Sequence, residues 1–64
     1  MKEMKYYCVR FNGEIISVYR IFEDSEGKYP ERWDPELKEW LFGGASNLEE
    51  AIEQEVMDYI KAHS

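Results

Sequence analysis

Asn12-Gly13 stands between two runs of β-branched and aromatic residues, 5–11 and 14–22, and constrains the fold more than any other feature of the chain. A two-residue Asn-Gly loop takes positive φ at both central residues, giving a type I′ turn whose twist matches that of the flanking strands. The spacing predicts a tight antiparallel hairpin. It also predicts a register: Phe11 opposite Glu14, Val9 opposite Ile16, Cys8 opposite Ser17 and Tyr7 opposite Val18. Side chains alternate along a strand, so one face should carry Tyr7, Val9, Phe11, Ile16, Val18 and Phe22, with Arg20 as its polar member. The other should carry Tyr6, Cys8, Ile15, Tyr19 and Ile21, with Arg10 and Ser17. The first face reads as the core, and the second is hardly more polar.

Downstream, the polar turn 23–27 ends in Gly27, and Tyr29 and Trp33 recur among charged residues. Pro30 cannot donate to a ladder, so this third strand should be short or at an edge. Asp34-Pro35-Glu36-Leu37 has the form of a type I turn, Asp first and Pro second. It would return the chain into Glu39-Trp40-Leu41-Phe42, with Trp33 and Trp40 as cross-strand neighbours. Gly43-Gly44 interrupts the pattern. Ser46-Asn47-Leu48-Glu49 then reads as a capping box that starts a helix. Leu48, Ile52, Val56 and Ile60 fall four apart, flanked by Ala51 and Tyr59, and form an apolar stripe for the sheet, while Glu49, Glu50, Glu53 and Asp58 face water.

The fold expected is α+β: an antiparallel β-meander of three to four strands (β-β-β-β-α), with one C-terminal amphipathic helix packed on one sheet face, as a single domain over residues 1–64. A chain of 64 residues that is 44% hydrophobic and 16% aromatic is too apolar for disorder. At this size it buries only about 60% of its unfolded surface, so stability is marginal. One cysteine, Cys8, excludes an internal disulfide, and no Cys/His cluster suggests a structural metal. No apolar run approaches a signal peptide or a membrane span, so a cytoplasmic location is the default expectation. The net charge of −6 is uneven: residues 1–45 hold nine acids and seven bases, residues 46–64 five acids and one base. Bulk negative charge disfavours nucleic acid and anionic membranes.

Each residue capable of chemistry has a plainer reading beside it. His63 suits a general base or a metal ligand, but it is the penultimate residue of the sequence. Cys8 suits a nucleophile if its pKa is lowered, with Arg10 the nearby cation, and otherwise is a small strand residue. Glu49, Glu50, Glu53, Glu55 and Asp58 offer oxygen ligands for a hard cation or a negative stripe for a basic partner, but lack EF-hand spacing and suit a solvated helix face. The two tryptophans read as a hairpin-closing pair before a ligand-stacking one. No phosphate loop or nucleophile elbow occurs. The expectation is no enzyme, no cofactor and no metal.

Across most of its length the chain resembles a group of short uncharacterised prokaryotic proteins. The likeness lies in Tyr6-Tyr7, Gly13, Ile16, Tyr19-Arg20, Glu31-Arg32-Trp33-Asp34-Pro35, Trp40 and Ile52-Glu53-Gln54-Glu55. That resemblance implies a stand-alone small protein and carries no catalytic or binding residues with it.

One helix covers one sheet face, which leaves an apolar second face that a soluble monomer rarely exposes. The leading expectation is a non-enzymatic interaction or structural module, self-associating as a homodimer or binding another protein through Tyr6, Arg10, Ile15, Tyr19, Ile21 and Trp33. The alternative is binding of nucleic acid, or of proteins that handle it, through sheet aromatics with Arg10, Arg20 and Arg32.

Overall fold

The Asn-Gly turn forms as its residues require, with φ of 52° at Asn12 and 82° at Gly13, and joins β1 (Glu3–Phe11) to β2 (Glu14–Asp24). The computed structural model describes residues 3–63; Met1, Lys2 and Ser64, included in the domain expected over 1–64, lie outside the described residues. At the second turn the Asp24 carboxylate accepts the N–H groups of Glu26 and Gly27 at 2.8 and 3.2 Å, turning the chain into β3 (Gly27–Asp34). Asp34 does the same at the third, accepting from Glu36 and Leu37, and β4 (Glu39–Phe42) follows. Trp33 and Trp40 pair across this hairpin with ring centroids 5.6 Å apart, edge to face.

β3 is eight residues long and neither short nor wholly an edge. Pro30 is tolerated because its carbonyl accepts from Gly43 at 3.0 Å. Its missing N–H therefore falls on the side where β4 has already ended.

Among the described residues the sheet holds five antiparallel strands in the order β4-β3-β2-β1-β5, where three to four were expected. The extra strand, β5 (Glu49–Ala51), lies where the helix was expected to begin. Glu49, Glu50 and Ala51 pair with Cys8, Tyr7 and Tyr6, giving the backbone groups along that stretch of β1 their partners. The helix α1 (Glu53–Ala62) starts later, and Ser46 is not its cap. Instead the Glu55 carboxylate accepts the Ile52 N–H at 3.3 Å, which is the carboxylate half of a capping box. Val56, Tyr59 and Ile60 face the sheet as the stripe predicts, whereas Ile52 is 64% exposed.

The register of the first hairpin also departs from expectation. Phe11 faces Glu14 and Arg10 faces Ile15, but Val9 faces Ser17, Cys8 faces Val18 and Tyr7 faces Tyr19. Ile16 is the unpaired residue of a β-bulge. The bulge turns β2 over relative to β1, so Cys8 and Val18 share a face, and the split into two faces predicted from an unbroken ladder is corrected. The core is Cys8, Val18 and Val56, each with no exposed surface, ringed by Tyr6, Ile15, Trp33, Trp40, Ala51, Tyr59 and Ile60. The bulged Ile16 carbonyl accepts the Tyr59 hydroxyl at 3.1 Å, so the irregularity also anchors the helix.

Deleting Ile16 leaves every other pair of this ladder in place. The shortened chain is expected to fold with a loss of about 1–2 kcal/mol, the share of that hydrogen bond and of the local packing. A urea melt with no cooperative transition would show instead that the extra twist of the bulge is essential.

Residues 43–48 carry the chain from one edge of the sheet to the other. At Gly44 an added Cβ would stand 3.3 Å from the Pro30 Cβ. Pro30 pairs with Ile21, so the link sets out across the face opposite the helix. Tyr19, on that face, is only 7% exposed.

Candidate interaction surface

The helix covers the turn end of its face and does not reach the far end, which among the described residues no other element covers. In the bare half Met4 pairs with Phe22, and Phe22 with Tyr29. Phe42 pairs with Glu31, two residues beyond Tyr29 on the same face. Met4, Phe22 and Tyr29 thus line up as a row across three strands, which Phe42 continues diagonally on the fourth, beside the Arg20–Glu31 ion pair. Met4 and Tyr29 are each 40% exposed and Phe42 is 81% exposed, while the Phe22 and Tyr29 rings lie 6.2 Å apart. On the reverse side of the same strands, Lys28 reaches Glu23 at 3.6 Å and Lys5 reaches Glu3 at 3.9 Å. The far end of the sheet is therefore apolar on one side and charged on the other.

The six residues expected to form one interface do not share a face. Tyr6, Ile15 and Trp33 pack around the core beneath and beside the helix. Arg10 shares their face, since it pairs with Ile15. Tyr19 and Ile21 lie on the reverse side, with Tyr19 buried. The bulge at Ile16 accounts for this division, because Ile15, before it, keeps the face of Tyr6 and Arg10, whereas Tyr19 and Ile21, after it, are turned to the other. The row Met4, Phe22, Tyr29 and Phe42 was missed. Its members lie on four different strands and become neighbours only once the register of β3 is known.

Arg10 is the hub of the electrostatics. Its guanidinium donates to the Glu55 carboxylate at 2.6 Å and lies 3.4 Å from Glu49, tying β1 to β5 and to the helix. The Arg10 hydrogen bond, with that from the Ile52 N–H, holds the Glu55 carboxyl below its usual range. The same pairing raises Arg10. A depressed carboxyl adds stability that is fully present above its unfolded pKa, about 4.3 for Glu. That stability is lost as pH falls through the lower folded value. The urea midpoint of the wild type is therefore expected to fall more steeply than that of Glu55→Gln from about pH 5 to about pH 3. Parallel curves for the two proteins would remove Glu55 from the acid response.

Cys8 is buried, and burial pushes its thiol up, away from the reactive thiolate. The His63 ring lies 4.2 Å from that of Tyr59. It borders an open depression with Arg10, Glu55 and Asp58, where both carboxylate partners of Arg10 compete with any anion. Among the described residues no group of three or more His, Cys, Asp or Glu is placed to hold a metal ion, and no helix is long and apolar enough to cross a membrane. Glu49 and Glu50 belong to β5 and Glu53, Glu55 and Asp58 to α1, so the acids form no single stripe. Arg20 is likewise engaged, donating to Glu31 at 2.7 Å with its guanidinium 4.4 Å from the Trp40 ring centroid.

Comparison with family models, with curated proteins and with solved structures finds no match to this chain.

Proposed function

We propose that this protein is a non-enzymatic interaction module that meets another protein through the bare half of its helix-bearing sheet face. The observation that carries the reading is the row Met4, Phe22, Tyr29 and Phe42, ending in a phenylalanine that is 81% exposed. An aligned aromatic and Met patch is the composition enriched where proteins meet. The total surface of 4788 Å² exceeds the roughly 4,300 Å² of an average folded monomer of this mass, in keeping with surface left uncovered.

The nucleic-acid alternative has less to draw on. Arg10 and Arg20 already carry carboxylate partners, and Arg32 pairs with Tyr19, which puts it on the opposite face. A cytoplasmic location belongs to the same proposal, consistent with a single buried thiol.

A photoreactive amino acid at position 42, introduced in the cells that make this protein, is expected to give protein adducts. The same probe at position 11, where Phe11 is also well exposed at 66%, is expected to give few. Equal yields at the two positions would end the reading.

A further inference from the structure

The geometry points to a second copy of this chain as the occupant of the bare half, the two sheets overlapping there about a two-fold axis while each helix stands beyond the far end of the other sheet. This rests on the reading of that face as a protein-contact surface, and three observations select the occupant.

The first is the size of the core. Among the described residues, the fully buried side chains are those of Cys8, Val18 and Val56, and none of them is large. Domains of this length without disulfide or metal commonly complete their burial by association. A copy of the chain is present wherever the chain is. The surplus surface, about 450 Å² over an average monomer of this mass, is more than half of the roughly 800 Å² that each partner gives to a standard interface.

The second is the distribution of charge. Five acids and one base lie in residues 46–64, so two copies repel when they meet helix to helix. An overlap of the bare halves keeps the helices apart. The Glu3, Lys5, Glu23 and Lys28 charges lie on the reverse side of each sheet and point away from the overlap, so none of them is desolvated by it.

The third is the step made by the helix. Tyr59 and Glu55 lie on the flank that reaches Ile16 and Arg10 near the turn. At 100° per residue, Met57 falls on the opposite flank, facing the bare half. It is 38% exposed. Stacked sheets stand about 10 Å apart, close to the diameter of a helix. The end of a partner sheet laid on the row therefore meets the wall that Met57 forms, while the polar outer side of α1, Gln54 and Asp58, stays in water. Because a two-fold axis that lies across the strands keeps their left-to-right order, the row meets its own copy, and Phe22 and Tyr29 lie near the axis.

Sedimentation velocity of the full chain, from low micromolar to millimolar concentration, tests this with three variants. The wild type is expected to dimerise, and Phe42→Asp to weaken the dimer by at least about 100-fold, because the change acts twice per dimer. Far-UV circular dichroism confirms that Phe42→Asp is folded. Tyr29→Cys, which does not depend on that variant, is expected to link to its own copy through a short bismaleimide. Phe11→Cys, at the turn end, is not. A wild type monomeric throughout, a dimer indifferent to Phe42→Asp, or linking at 11 as efficient as at 29 overturns the proposal. If the wild type is monomeric while position 42 still yields adducts with a different protein in the cell, self-pairing fails and the contact surface stands. If neither is seen, both fail.

Discussion

Val56→Asp is expected to leave the chain unfolded at neutral pH. Val56 has no exposed surface and closes the core against Cys8 and Val18, ringed by apolar side chains, and Arg10, which acts electrostatically on Cys8, is already held by Glu49 and Glu55. A carboxylate placed there loses its hydration without gaining a partner, at a cost of several kcal/mol. A domain of 64 residues has about 3–10 kcal/mol of stability in total, so the substitution removes most or all of it. Val56→Ala should cost about 2 kcal/mol, a lost transfer term with a small cavity beside it. Circular dichroism through a urea titration distinguishes the three proteins. A cooperative melt of Val56→Asp near the wild-type midpoint would mean that the helix is not part of the folding unit.

Trp33→Ala is the second large effect, at about 3–5 kcal/mol. Trp33 packs against the core and against Trp40, whose other neighbour is the Arg20 guanidinium. Truncation thus removes the layer that holds the β3–β4 hairpin over Val18. Trp33→Phe should be far milder, because the buried Trp33 Nε1 has no hydrogen-bond partner among the described residues. Its removal forfeits no bond and lifts a desolvation penalty of about 1–3 kcal/mol, offsetting part of the lost area. Urea midpoints for the two variants that fall equally far would indicate that Nε1 does find a partner in solution.

What the chain reveals before folding follows from the range of the interactions involved. The Asn12-Gly13 turn and the Trp33–Trp40 hairpin are set by neighbours in sequence, and both form where the residues predict. The bulge at Ile16 is different. Both faces of the hairpin are apolar, so alternation alone cannot pin the register. The choice is made by a residue about forty positions away, when Val56 packs on Cys8 and Val18 together. β5 was hidden for a related reason. Glu49-Glu50-Ala51 has poor strand propensity, and its pairing answers the open edge of β1 and the charge of Arg10 rather than any local preference. An arginine in the otherwise uncharged stretch 6–11 of β1 was the one available signal that acids from elsewhere would dock there. The stripe Val56, Tyr59 and Ile60 was legible because helical periodicity survives a late start. The row of Met4, Phe22, Tyr29 and Phe42 was not, being a property of register.

The contacts that close this molecule join its two ends. Arg10 meets Glu55 and Tyr59 meets Ile16 across separations of 45 and 43 residues. Hairpins between adjacent strands form in microseconds, but long-range closure must first overcome the entropy of a long loop. During synthesis the meander can assemble from its first forty residues and still have nothing buried over Cys8 and Val18. Only when residues 49–62 leave the ribosome do the open edge of β1 and the apolar face beside it gain their cover. The domain is therefore expected to be most prone to aggregation before residues 49–62 emerge, and stalled or truncated chains lacking this segment should be the species that chaperones and proteases handle first.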